Sequence, residues 1–307
     1  MPGFVFRTPV ALFIFKRPAT TRRVFAAIAA ARPPRLFLVA DGPRNPQEAD
    51  ECAATRAVVA RVDWDCEVIT DFAAANLGLK RRLASGLAWV FAQAEEAIIL
   101  EDDCLPHPTF FRFCQEMLAR YRDQPQVMHI GGFNPAPGWA AANSYLFSRY
   151  PRVWGWASWR RAWAFYDADL RGWTGAADKG VYLARFAHRR ERQYWRLVWD
   201  GVASGQINTW DYQWAFACLA REGLSVVPGV NLVTNIGFGP AATHTRRDHP
   251  LANHPSTAAL FPLEHPPAIA RHAAYDAHIA RTSFMVPALR RRIAGRLWRL
   301  VRRRRPG

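Results

Sequence analysis

The chain has 307 residues, half of them apolar and 21% charged, which suits a folded protein with a sizeable core and excludes a disordered one. The formal charge is +16, but residues 290–305 hold nine Arg and no acid; about +7 is left for the rest, so the charge does not describe a nucleic-acid surface over the whole molecule. Five Cys at wide spacings, with no CxxC, exclude a zinc knuckle or a disulfide framework and point to a reducing cytosol.

The first residues lead into an apolar stretch broken by Lys16 and Arg17, so neither a signal peptide nor a membrane span is expected. Residues 9–15 read as a buried strand, and Thr20 or Thr21 as the cap of a helix reaching Ala31. Residues 35–40 form the next strand and run into Asp41-Gly42. A helix is expected over 47–61, a strand over 67–70, and a loop at Asn76-Leu-Gly-Leu-Lys80 that enters a helix ending near Ala94. Residues 97–100 (Ala-Ile-Ile-Leu) are unbroken apolar, as a parallel strand covered on both faces requires. A helix over 109–122 and a strand over 126–130 follow. Strands alternating with helices predict a parallel sheet with right-handed crossovers. Arg17, Asp41 and the acids after residue 100 then converge at carboxyl strand ends, where open α/β sheets bind ligands.

Those acids are Glu101, Asp102 and Asp103. Clustered carboxylates repel one another, and desolvating them is costly unless a cation compensates. Two readings are open: a divalent metal held for a phosphate-bearing substrate, or a solvated acidic turn before the next helix. No G-x-G-x-x-G follows the first strand and no P-loop is present, so any bound phosphate needs metal or basic side chains.

The second half is aromatic and basic around Trp154, Trp156 and Trp159, where an acceptor platform is expected to expose Trp156 with Gly155 while the others pack; Arg160 and Arg161 read as solvated helix surface. Helices are expected over 189–200 and 209–219 and a strand over 224–228. Residues 246–287 are rich in Pro and His and read as a wrapping or mobile tail. Residues 286–305 place apolar side chains at 289, 293, 297 and 300/301 opposite Arg, a basic amphipathic helix that predicts binding to an anionic membrane surface. No specific nucleic-acid partner is expected.

Seven motifs in order, spanning residues 9 to 246, resemble the GT-A-fold nucleotide-sugar glycosyltransferases, within them the bacterial family-2-like enzymes and N-acetylglucosaminyltransferase I. They are Phe15-Lys-Arg-Pro18, Val39-Ala-Asp-Gly42, Asn76-Leu-Gly78, Leu100-Glu-Asp-Asp103, Gly155-Trp156, Trp210-Asp211, and Asn235-Ile-Gly-Phe-Gly239 with His244. The resemblance implies a Rossmann-like, mostly parallel sheet flanked by helices, with a nucleotide-sugar-binding half at 1–130 and an acceptor half at 131–250, then the tail at 251–285 and the basic helix at 286–307. It implies a metal-dependent inverting hexosyl or N-acetylhexosaminyl transfer, as in polysaccharide biosynthesis, to a glycan or lipid-linked acceptor at the inner face of the membrane. Arg17 and Asp41 would line the base and ribose pocket and Asn76 would lie near the nucleotide or sugar. Glu101 and Asp102 would contact ribose or sugar. Asp103 would be the main ligand of Mn²⁺ or Mg²⁺, and His244 a second one. Lys80 reads as a solvated helix-start residue. Asp211 would be the catalytic base, its pKa raised by apolar neighbours, with Asp200 the fallback. Tyr212-Gln213 stand where the family pattern leads one to expect a second acid, and no N-terminal anchor like that of the eukaryotic enzymes is expected. The runner-up enzyme is a sugar-1-phosphate nucleotidyltransferase, disfavoured by the absence of a glycine loop after the first strand. A non-catalytic membrane-surface or nucleic-acid-binding protein on an inactive transferase fold is the non-enzyme alternative.

Overall fold

Three buried strands carry the layout. β1 (Val10–Ile14) sends Val10, Leu12 and Ile14 to one apolar cluster and Ala11 and Phe13 to another. This is the period-two signature of a strand covered on both faces. After it come α1 (Pro18–Ala31), β2 (Arg35–Ala40), α2 (Pro46–Val59), β3 (Glu67–Phe72), α3 (Leu79–Gln93) and β4 (Glu96–Glu101). β2 and β4 split their side chains between the same two clusters. α1 covers one face with Val24, Phe25 and Ile28, and α3 the other with Leu83, Leu87, Val90 and Phe91. The computed structural model describes residues 4–140, 143–238, 251 and 253–284.

The chain continues through β5 (Cys104–Pro106), α4 (Thr109–Tyr121), β6 (Val127–Gly131), β7 (Tyr145–Ser148), β8 (Trp156–Trp159), α5 (Arg160–Trp163), α6 (Ala176–Ala184), α7 (Arg189–Ala203), α8 (Asp211–Ala220), β9 (Leu224–Pro228), β10 (Val233–Asn235) and α9 (Ala273–Ile279). The eight-stranded sheet has the order β3-β2-β1-β4-β8-β6-β9-β7, with β10 and β5 in a separate two-stranded ribbon. β1, β2, β3 and β4 are parallel, as are β6 and β9, while β8 runs antiparallel to both β4 and β6. This mostly parallel α/β sheet flanked by helices is Rossmann-like, as expected from the alternation of elements.

Three strands are not legible as apolar runs. β7 and β10 span four and three residues. β8 lies within the aromatic stretch whose Trp156 was expected to face a ligand. Trp156 is instead fully buried, stacked on His129 at 5.1 Å and packed against Trp210 and Trp214. The reason is its place in the sheet between β4 and β6, where both faces are covered. Arg161 is likewise no solvated helix residue: it donates to the carbonyls of Tyr121, Arg122 and Val127 and lies over the Trp159 ring. α1 begins at Pro18, whose missing N–H costs nothing at a helix start. Thr21 is therefore inside the helix, donating to the Arg17 carbonyl at 2.7 Å.

Residues 253–284 pack back on the domain. Thr257 N–H donates to the Asn231 carbonyl, Ser144 exchanges hydrogen bonds with Glu264, and Tyr275 and Ile279 are buried against α7-side aromatics. No helix among the described residues is long and apolar enough to cross a membrane. The basic segment 286–307 lies outside the described residues.

Candidate active site

The parallel strands put three carboxyl-end loops side by side. β4 ends at Glu101, and the chain turns through Asp102 and Asp103 into β5. Asp102 is 5% exposed; its Oδ2 accepts from the Phe15 backbone N–H at 3.2 Å, just past β1. Arg17, next along that loop, donates to Asp103 Oδ2 at 2.7 Å and lies 3.7 Å from Asp102 Oδ1. Arg17 was expected to line a base and ribose pocket. It is instead the counter-charge of the acid cluster, because β1 and β4 are adjacent and their loops emerge together.

One guanidinium among three acids leaves the cluster short of positive charge. Burial, then the neighbouring Asp103, Asp102 and Asp211 carboxylates, drive the Glu101 carboxyl well above its usual range, with Arg17 acting against them. Burial also pushes Asp102 up to about 7, opposed by Arg17 and by the Phe15 N–H. Near neutral pH Asp102 therefore takes up a proton unless another cation arrives.

The ribbon closes the far side of Asp103. Asn235 of β10 pairs with Cys104 of β5, and the Ile236 N–H donates to the Asp103 carbonyl at 2.8 Å. A Cβ on Gly237 would overlap the Asp103 carboxylate, so glycine is what lets this loop lie against it. Asn235 was read in sequence as part of a glycine-bearing ligand loop; the described part of that loop packs on Asp103.

Asp41 has a different job from the one expected. Its Oδ1 accepts from Gly42 N–H at 2.9 Å and Leu77 N–H at 2.8 Å, and its Oδ2 from Asn76 Nδ2 at 2.9 Å and Gly78 N–H at 3.1 Å. A carboxylate has about four lone-pair sites, so none is left for a ring N–H of a base. Asp41 and Asn76 bolt the β2 loop to the loop entering α3. Gly42 belongs to the same device: a Cβ there would meet the Ala75 backbone. Lys16 bridges Glu48 at 3.0 Å and Glu51 at 3.1 Å, and Lys80 lies 3.8 Å from Asp169, so neither faces the acid cluster.

Asp211 opens α8. Thr209 Oγ donates to its Oδ1, and burial raises its carboxyl above the ordinary value despite the Thr209 hydroxyl and the Asp211 and Tyr212 backbone N–H groups. No cation pairs with it among the described residues. Its charge reaches Glu101, so the helix start and the strand end face a common region. On its other side Asp211 lines a cavity of about 210 Å³ with Trp154, Arg152, Tyr194 and Tyr212. Of Trp154, Trp156 and Trp159 it is Trp154 that lines this space. The fallback base is committed elsewhere: Asp200 accepts from Lys179 Nζ at 2.8 Å and Trp173 Nε1 at 3.0 Å. Tyr194 and Arg152 escaped sequence reasoning because nothing in their local pattern marks them; Tyr212 carried a signal through its adjacency to Asp211.

No three side chains among the described residues form a ready metal cage. The oxygen-only set of Glu101, Asp102 and Asp103, with its deficit of positive charge, fits a hard cation that takes one or two carboxylates and completes its shell from substrate phosphate. Arg17 would then share Asp103 with the ion. His244 lies outside the described residues.

No protein-family model matches the chain, and no curated protein matches it. Solved structures do. One is 4-diphosphocytidyl-2C-methyl-D-erythritol synthase from Anaerococcus prevotii, with 8% identity over 57% of this chain and 83% of that one and a TM-score of 0.35. UDP-glucose pyrophosphorylase is matched with UDP-glucose (11% identity, 46% of this chain, 63% of that one, TM-score 0.24) and in the apo form (9%, 74%, 93%, 0.33). These are nucleotidyltransferases, not glycosyltransferases. Likeness at this level says nothing of what this chain acts on.

Proposed function

We propose that this chain is an enzyme acting on a nucleotide-linked sugar, and that it transfers the sugar with inversion to an acceptor hydroxyl. The observation that carries the transfer is Asp211: a carboxylate with raised proton affinity and no cation partner among the described residues, set between the acid cluster and an aromatic cavity. In the step, the acceptor oxygen bonds to the anomeric carbon while its proton passes to Asp211. The bond from that carbon to the phosphate oxygen breaks and the nucleoside diphosphate leaves. A general base in this position contributes about 10²–10⁴ in rate. Arg17 holds Asp103 in place. A divalent cation on Asp103 and Asp102 would supply neutralisation of the leaving group. In this proposal residues 1–130 take the donor and 131–250 the acceptor. His244 serves as a second metal ligand, and 286–307 hold the enzyme on an anionic membrane surface near a glycan or lipid-linked acceptor.

The second reading, nucleotidyl transfer onto a sugar 1-phosphate, is the kind of chemistry that the name UDP-glucose pyrophosphorylase describes. It needs cations around a triphosphate in the loop after β1. There the two cations are already engaged, Lys16 by Glu48 and Glu51 and Arg17 by Asp103. Two substrate sets separate the readings. Nucleotide sugars with Mn²⁺ should release nucleoside diphosphate. Nucleoside triphosphate with sugar 1-phosphate should release no pyrophosphate; pyrophosphate release there, without diphosphate release from nucleotide sugars, replaces the first reading with the second.

A further inference from the structure

The cavity behind Asp211 holds a feature that sugar transfer alone does not require. Its walls are aromatic, with Trp154, Tyr194, Trp195, Tyr212 and Phe284 around it. A guanidinium, Arg152, lines the same space. Among the described residues Arg152 donates to Ser283 Oγ at 3.0 Å, lies over the Phe284 ring at 5.4 Å, and pairs with no carboxylate. The other arginine of the cavity differs: Arg149 lies 3.7 Å from Asp276 and donates to the Arg185 carbonyl at 2.6 Å.

A largely buried guanidinium without a carboxylate partner is costly to keep, and burial lowers its proton affinity even against the surrounding tyrosines. Tyr194 and Tyr212, whose hydroxyls are 3.3 Å apart, lie within electrostatic reach of both Arg152 and Asp211. The cavity thus holds a carboxylate able to take a proton, two hydroxyls and a cation with no carboxylate partner among the described residues. At about 210 Å³ it exceeds the ~150 Å³ that admits a benzene ring. One six-membered ring with a substituent fits that volume, and aromatic side chains stack well on the apolar faces of sugar rings.

We infer that this cavity is an acceptor subsite selective for a sugar ring bearing an anionic substituent, carboxylate or phosphate, with Arg152 as its counter-charge. The inference rests on the sugar-transfer reading above, because it takes Asp211 as the base for a hydroxyl of that ring. Arg suits the task because its planar fork matches a carboxylate or a phosphate with paired hydrogen bonds.

The full chain, without donor, is titrated with methyl β-glucuronide, glucose 6-phosphate and methyl β-glucoside while tryptophan fluorescence is followed; Trp154 and Trp195 line the cavity. At least one anionic probe should bind about tenfold more tightly than the neutral glucoside, as a charge-assisted hydrogen bond predicts. Which anionic probe leads tells carboxylate from phosphate. Arg152→Gln should erase the preference and leave glucoside affinity unchanged, and Arg152→Lys should retain part of it. Equal affinity of neutral and anionic probes in the wild type overturns the inference, as does no binding of any probe or a preference that survives Arg152→Gln. If Arg152→Gln does not fold, the wild-type ranking and Arg152→Lys decide. A wild type that releases diphosphate but shows no preference for an anionic probe sinks only this inference. A preserved preference with no diphosphate release sinks only the transfer reading.

Discussion

The acid cluster at the end of β4 and the cavity behind α8 meet at Asp211, yet they are built on opposite principles. In the first, three contiguous acids crowd one turn, and Arg17, the Phe15 N–H and the β10 loop are spent on holding them. In the second, side chains from residues 149–154, 194–199, 211–215 and 284 surround one space. The cluster is rigid and short of positive charge. The cavity is largely aromatic and, among the described residues, carries one cation without a carboxylate partner. A site that recruits a cation to neutralise a leaving diphosphate would need the first kind of region; one that orients a nucleophile and takes its proton needs the second.

Mutations should separate the two regions. Asp211→Asn should cut turnover by about 10²-fold or more while nucleotide-sugar affinity stays near the wild-type value; steady-state kinetics with equilibrium donor titration reads both. Unchanged turnover would remove Asp211 as the base and leave the acid cluster to stand alone. Arg17→Gln should cost about 3 kcal/mol in urea unfolding, the scale for stripping a partner from a buried charge cluster. Leu79→Ala, on the far side of the Asp41 loop, should not weaken donor binding as Arg17→Gln does.

The acid cluster also has a pH signature. Asp102 rises from an ordinary 3.8 to about 7, and Glu101 moves the same way. A folded-state pKa above the unfolded one means the folded chain keeps protons that the unfolded chain releases. The stabilisation is therefore fully present below pH 3.8 and is lost as pH rises through about 7. Mn²⁺ should raise the melting temperature more at pH 8 than at pH 5.5, since it must displace those protons. An equal or larger shift at pH 5.5 would show that the ion binds elsewhere.

Gly237→Ala should cost about 1–3 kcal/mol by overpacking and weaken donor binding, because the loop must retreat from Asp103. The smallest effect belongs to Asp200→Asn. Its side chain is 39% exposed, and a half-exposed ion pair contributes about 0–1 kcal/mol, with turnover unaffected.

Much of the first half was legible in sequence because β1, β2 and β4 are buried on both faces and so appear as uninterrupted apolar runs. Their order made it readable that the loops after them would share a crevice. What those loops do there was not. Asp41 reads as a lone acid in an Asp-Gly turn until the N–H groups of Leu77 and Gly78, more than thirty residues on, fill its lone pairs. Arg17 and Asp103 are 86 residues apart, and nothing local marks them as partners.

Composition and periodicity alone determined the α/β class, the acidic strand end and the helix that begins at Asp211, since burial on two faces and helix starts leave marks within a few residues. Only the tertiary structure decided that Trp156 is core and Trp154 lines the cavity, that Asp41 is a brace, and that Arg152 shares Asp211's cavity with no carboxylate partner among the described residues. Those outcomes depend on which strands become neighbours, and hydrogen-bond and charge satisfaction is settled between residues far apart in the chain.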